Sequence, residues 1–487
     1  MNNNEMNNGD SGELKRGIKS WQVAFIGLGG VIGSCYFLGL GALIRDMGPA
    51  VIIAFAVVGL IVYGMMISYA ELLVNVPRKG SFVAYTNEFL GPTASIGIGW
   101  AFWFNWVCYV PSEAIAVAVV LNSLFPGNQV MYAIGTLLLL TVINLSAVDI
   151  FAKIESTLSI IKVCSIIIFS VLAFGIWVGL WGSNGFLGTS INFGSGAILT
   201  DLFPNGCGIV LTSMVTVLVT FQGTEIVGLA AAETQDPETA VPKACRSVSY
   251  RILLLYMIPI VLILLVFPTG LASLDGSVFS QVLAEYNLGF WAAVMAGIVL
   301  VAAFSCANTG FYGTVRCLYG LSVEGLAPKC LGKLDAKGSP RNAVLLTLGA
   351  MWLVLILGLF SGGSELYESL LSVSGFTGTL AWIGIIAAQK VFRMRLKKNG
   401  YSDKNLLAAV PKNQDWTTTF SFVAQSLCLI MLAFGEGQLP VFIIAVAAVA
   451  LPIIVAAVMK KSGRYHPEAV QSTEIQFDEL FPPKGKD

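Results

Sequence analysis

The sequence predicts an all-α integral membrane protein with twelve transmembrane helices, built on a five-plus-five inverted-repeat core whose helices one and six are discontinuous. Three observations predict it. Of the 487 residues, 56% are hydrophobic and 11% charged, with a mean hydropathy of +0.79, whereas soluble domains carry roughly 25% charged residues. Apolar runs of about 20 residues, the length that crosses a bilayer core, recur along the chain. Two of those runs are interrupted by glycine at matching places in two successive halves. The runs are continuous rather than alternating, which excludes a membrane β-barrel.

The spans read near 19–45, 48–75, 94–124, 130–148, 157–181, 206–231, 245–267, 286–320, 341–360, 366–390, 418–436 and 438–461. Residues 1–18 form a polar tail with no cleavable signal pattern. Residues 19–461 form one transmembrane domain, and 462–487 a second tail. Lysine and arginine mark cytoplasmic loops. With the N-terminus inside, Lys15, Arg16, Lys19, Arg78, Lys79, Lys153, Lys243, Arg246 and Arg251 fall on the cytoplasmic face. The 329–341 loop, the basic 390–412 loop and Lys460–Lys461 join them, and Arg45 is the exception. Both termini are therefore expected in the cytoplasm.

Net charge is zero, from 28 basic and 28 acidic residues, which gives no electrostatic reason for a nucleic-acid partner. The nine cysteines stand singly, as small apolar residues do. His466 is the one histidine. That composition argues against a metal site, against a bound cofactor and against histidine-based catalysis, so no enzyme is expected.

The stretch "GLGGVIGSCYFLG", Gly27 to Gly39, breaks span one, and "VTFQGTEIVGLAAAETQDP", Val219 to Pro237, breaks span six. Five is odd, so a second group of five helices lies upside down relative to the first. Broken helices at matching positions of two such halves point to a transporter and its binding site. Unwound backbone at membrane depth must line a cavity or touch protein. The half-helix starting near Ser34 and Cys35 offers N–H groups to a carboxylate. The carbonyls near Val31 and Ile32, with those of Val219 to Gln222, suit a cation. An α-amino acid zwitterion carries both charges. Close packing of small residues is the competing explanation for the glycines.

Ionisable groups inside spans mark function by default. Lys162, in "LSIIKVCSIII", is placed to hydrogen-bond the freed carbonyls of span one, or else to snorkel to the cytoplasmic end. Glu113 follows Pro111 in span three, and Glu225 follows the span-six break; each either contacts substrate or holds structure as a protonated donor. Glu233 and Asp236 suit a cytoplasmic gate or a solvated turn. Ser305, Asn308 and Thr309 share one face of span eight, either completing the site around Lys162 or tying helices together.

"GGVIGSCYFLG", "YAELLVNVPRKGSFVAY", "FQGTEIVGLAAAETQDPETAVPKA" and "TVRCLYGLSVEGLAPK" together resemble elements of the amino acid–polyamine–organocation superfamily, and within it the twelve-span amino acid transporters. The resemblance implies a five-plus-five core, alternating access and amino acid uptake driven by protons across the cell membrane. It implies that Gly33, Ser34 and Cys35 hold the substrate carboxylate, that the Val31, Val219 and Gln222 carbonyls hold the amino group beside Gly223, and that Phe221 gates. Lys162 falls where proton-coupled relatives place a lysine in lieu of sodium. Glu113 and Glu225 fall at acidic positions shared with lysine permeases. Cys35 stands where the pattern has glycine and narrows the approach to the N–H groups. The expected partners are a small amino acid and the bilayer, with the proton as coupling ion. An exchanger, a sensor and a channel are the alternatives, and side-chain selectivity is assigned to spans three, six, eight and ten, including 372–382.

Overall fold

A helix satisfies its own backbone N–H and C=O groups, which is why apolar runs at membrane depth take that form. The computed structural model describes residues 19–462 except 77, 79–81, 146–147, 181–201, 231–233, 235–236, 274–275, 336–337, 359–362 and 436. Among them there is no β-strand. The helices are α1 (Ser20–Val31), α2 (Ser34–Phe37), α3 (Gly39–Met47), α4 (Val51–Asn75), α5 (Phe82–Leu90), α6 (Pro92–Leu124), α7 (Gln129–Asn144), α8 (Val148–Trp177) and α9 (Cys207–Val219). They continue as α10 (Ile226–Leu229), α11 (Pro237–Val266), α12 (Val278–Glu285), α13 (Gly289–Val323), α14 (Arg341–Gly358), α15 (Gly363–Lys398), α16 (Asp415–Leu432) and α17 (Leu439–Lys461). The predicted tails, 1–18 and 462–487 apart from Ser462, lie outside the described residues, as do Glu233 and Asp236.

Among the described residues, helix occupies part of each expected segment. Among the described residues, seven stretches are long and apolar enough to cross a membrane: Gly39–Asn75, Pro92–Leu124, Glu155–Trp177, Gly289–Val323, Arg341–Gly358, Tyr367–Lys398 and Leu439–Lys461. Spans one and six fall short because each is cut into pieces, α1 to α3 and α9 to α10. The tail of span one runs on into span two through a 3-10 turn, Gly48–Ala50, with Pro49 at its start. Two short helices, α5 and α12, had no counterpart in the sequence reading. Span ten continues to Lys398, so the basic loop assigned to 390–412 begins as helix.

The central element is α6, packed against α13, α15 and α7, with Pro111 inside it. The broken helix α1 leans on α8, α11 and α13. Exposed apolar side chains such as Leu138, Val171, Leu357 and Ile443 present the outward surface that lipid requires.

The 399–414 connection is strapped to α4. Glu71 accepts from Arg393 Nε at 2.8 Å and NH2 at 2.6 Å, from Gln389 Nε2 at 2.8 Å and from the Val410 N–H at 2.6 Å. Asn75 adds a bond to the Ala408 carbonyl at 2.6 Å and one from the Leu407 N–H at 2.8 Å.

Candidate functional site

Helix α1 ends at Val31, and Ile32 and Gly33 run extended before α2 begins at Ser34. Gly33 is required there by space: a Cβ would stand 2.4 Å from Glu113 Oε1 and 2.7 Å from Cys306 Sγ. The second break follows α9, where Gly223 adopts φ +104°, a left-handed region that disfavours side chains. A Cβ on Gly223 would stand 2.4 Å from the Gly30 carbonyl oxygen. The two breaks therefore meet backbone to backbone, and both are buried.

A helix end leaves carbonyls without intrahelical donors. Each carbonyl at the α1 terminus has found one. Leu28 O accepts from the Ile32 N–H at 3.2 Å. Lys162 Nζ donates to Gly29 O at 2.6 Å and to Ile32 O at 3.1 Å. Cys306 Sγ reaches Gly30 O at 3.0 Å. The Tyr256 hydroxyl lies 3.1 Å from Val31 O and 2.7 Å from Thr220 O, so it bridges the two breaks. Val219 O accepts from the Gln222 N–H at 3.0 Å.

The freed N–H groups face carboxylates. Ser34 N–H donates to both oxygens of Glu113, each at 3.1 Å. The Ser34 hydroxyl pairs with that of Tyr367 at 3.0 Å. Gly223 N–H lies 3.2 and 3.0 Å from the two oxygens of Glu225, and Trp382 Nε1–H donates to Glu225 Oε2 at 2.9 Å. Both acidic side chains are buried and turned onto broken backbone rather than into solvent. The unwound segments thus bring carboxyl side chains to freed N–H groups and an amine to freed C=O groups.

Lys162 is 0% exposed, which removes the snorkelling alternative. Its ammonium lies 3.9 Å from Glu155 Oε1. Ser305 Oγ donates to the same oxygen at 2.5 Å, and Ser159 Oγ reaches it at 3.4 Å. Asn308 does not join that group: its Oδ1 accepts from Asn144 Nδ2 at 2.9 Å, tying α13 to α7. Of the polar face on span eight, Ser305 turns toward Lys162 and Asn308 away, because α8 and α7 flank α13 on different sides. Phe221 packs edge-on to Tyr256, with ring centroids 5.0 Å apart, and Cys35 is buried in α2. Gln222 Nε2 donates to Gly375 O at 3.2 Å, and Asn105 receives a short bond from Ser374, which brings α6, the second break and α15 together.

Glu155, Tyr256, Cys306 and Tyr367 were missed by the sequence reading. The span read at 157–181 begins after Glu155, whereas the helix itself starts at Val148. A seven-residue separation from Lys162 is two helical turns on one face, and that signal was available. Tyr256 sits in an ordinary apolar run, and its pairing with Val31 lies 225 residues away in sequence.

Residues 22–436 match the family model described as amino acid permease. The chain is 35% identical over 403 residues to the amino-acid permease RocC of Bacillus subtilis, covering 82% of this chain and 85% of that protein. It is 32% identical over 429 residues to the γ-aminobutyric acid permease of Escherichia coli, covering 88% and 90%. It is 31% identical over 431 residues to the lysine-specific permease LysP of Escherichia coli, covering 86% of each. In fold it is similar to a manganese transporter of Eremococcus coleocola, with a TM-score of 0.56 at 12% identity over 93% of this chain and 95% of that one. The chain belongs to the amino acid permease family of the amino acid–polyamine–organocation superfamily, and is a multi-pass membrane transporter rather than an enzyme.

Proposed function

We propose that this permease imports an L-amino acid by proton symport, through alternating access of a twelve-span, five-plus-five core in the cell membrane with both termini cytoplasmic. The observation that carries the reading is what the first break already holds. One carboxylate of the protein, Glu113, lies on the Ser34 N–H, and one ammonium, Lys162, lies on the Gly29 and Ile32 carbonyls. A free amino acid brings the same two groups.

In this reading the substrate carboxylate replaces Glu113 along Gly33–Cys35. Its ammonium docks on the carbonyl side formed by Val31, Val219 and Gln222, with Phe221 closing over it and Gly223 leaving room. Protonated Lys162 holds the first break in shape, and loss of its proton loosens that hold. The relatives are named for lysine and for γ-aminobutyric acid, two compounds that share an amino and a carboxylate group and differ in the rest. That shared pair is what the two breaks suit.

The test uses proteoliposomes without internal amino acid and a uniformly 14C-labelled mixture of L-amino acids. An inward proton gradient should drive accumulation in the native protein and not in Lys162→Ala. Uptake that ignores the gradient and requires internal amino acid would replace symport with exchange.

A further inference from the structure

Lys162 is sealed in protein, so a proton that leaves its ammonium needs a neighbour to receive it. Among the described residues, Glu155 is the acidic side chain within 4 Å of Lys162 Nζ, at 3.9 Å. Two of the amine's three N–H groups are committed to Gly29 O and Ile32 O. The Glu155 oxygens are unequal. Oε1 collects Ser305, Ser159 and the ammonium, whereas Oε2 is buried with no hydrogen-bond partner among the described residues. A bare carboxylate oxygen in an apolar interior is costly, and a proton on it removes most of that cost.

Position adds direction. Glu155 precedes Lys162 by seven residues on α8, about 10 Å along the axis. It lies toward the end of α8 that the basic residues assign to the cytoplasm. A carboxyl there stands between the lysine and the compartment into which an importer discharges its proton.

We propose that Glu155 is the exit station for the coupling proton: it takes the proton from Lys162 and releases it to the cytoplasm. The inference rests on Lys162 being the coupling cation. In the step, an N–H bond of the ammonium breaks and an O–H bond forms on Glu155, converting an ammonium–carboxylate pair to a neutral amine and a neutral acid. The O–H bond then breaks to cytoplasmic water and the carboxylate returns. No electrons change hands. The neutral amine keeps two N–H donors on the Gly29 and Ile32 carbonyls and turns its lone pair toward Glu155, but those bonds are no longer charge-assisted, so its grip on the carbonyls weakens as the proton leaves. The other titratable groups facing the pair are already engaged. Glu113 on α6 lies on the Ser34 N–H, Cys306 on α13 on Gly30 O, and Tyr256 on α11 on Val31 O and Thr220 O. Helix α1 carries no ionisable side chain.

The experiment compares net uptake with exchange in the same proteoliposomes, using the labelled L-amino acid mixture. In Glu155→Gln, gradient-driven net uptake should fall about 100-fold, the scale of a lost proton-transfer group, while label still exchanges across vesicles preloaded with unlabelled amino acids. Glu155→Asp should recover part of the net uptake with a displaced pH profile. If Glu155→Gln accumulates label like the native protein while Lys162→Ala does not, the exit role is wrong and the lysine reading stands. If the native protein ignores the gradient, both fall. If Glu155→Gln does not fold, Glu155→Asp decides: a pH profile identical to the native one overturns the proposal.

Discussion

Gly223 lies against Gly30 so closely that a Cβ on Gly223 would stand 2.4 Å from the Gly30 carbonyl oxygen. This contact joins the two broken helices, and it forbids a side chain twice over, by space and by a φ of +104°. Gly223→Ala should cost about 1–2 kcal/mol in backbone conformation alone, before the breaks are forced apart. Thermal melting in detergent and uptake should both drop, whereas Gly135→Ala, inside α7 where a Cβ meets nothing within 4 Å, should leave uptake intact and the melting temperature equal or slightly higher.

Tyr256 serves both breaks through one hydroxyl. Tyr256→Phe keeps the ring stacked on Tyr36, whose centroid is 4.0 Å away, and removes the bond to Val31 O and Thr220 O. Leaving buried carbonyls unpaired costs roughly 1–3 kcal/mol. Lower thermal stability is expected, and normal stability would show that the hydroxyl is dispensable.

The Lys162–Glu155 pair should behave as a unit. Removing only the ammonium, as in Lys162→Met, strands the carboxylate in the interior and is expected to cost about 3–5 kcal/mol. Adding Glu155→Gln removes that stranded charge. The double variant should therefore melt above Lys162→Met, and a double-mutant cycle of melting temperatures measures the coupling.

The strap on α4 ranks two ion pairs. Arg393 is bonded to Glu71, which is 1% exposed, while Lys390 and Asp415 are 31% and 44% exposed in their side chains. Arg393→Met should cost about 3–5 kcal/mol, and Lys390→Met less than about 1 kcal/mol. Equal melting temperatures for the two variants would contradict the ranking.

Glu324, just beyond α13, has its carboxyl held above the ordinary carboxylate value of 4.5 by burial, partly opposed by the Asn87 amide. The folded chain therefore holds this proton more tightly than the unfolded chain. Its contribution to stability is present below pH 4.5 and is lost as pH rises through the raised value. Glu324→Gln should flatten that part of the stability profile, as melting scans across acidic to neutral pH will report.

The legible parts of the site were those written in local sequence. The glycines of Gly27–Gly39, the "FQGTE" stretch and a lysine inside an apolar run each break a local rule, and each lies where helices break or carbonyls are freed. Glu155 falls outside the apolar run at 157–181 because the polar first turns of α8, from Val148, do not read as membrane span. Tyr256, Cys306 and Tyr367 break no local rule, because a tyrosine or cysteine in an apolar run is ordinary until the fold shows which carbonyl or hydroxyl it meets. The Glu71–Arg393 bond spans 322 residues and lay in two stretches read as helix end and basic loop. Asn308 takes the second of the two roles its spacing left open: it ties α13 to α7, while Ser305 turns to Glu155 on α8.

The most direct measurement is a thermal-shift comparison of each common L-amino acid with its own methyl ester on the purified protein. Stabilisation by at least one free amino acid, lost in its ester, is the predicted result, because in the proposed binding mode the substrate carboxylate takes the place of Glu113 on the Ser34 N–H. Equal stabilisation by acid and ester would contradict the claim that broken backbone grips the zwitterion.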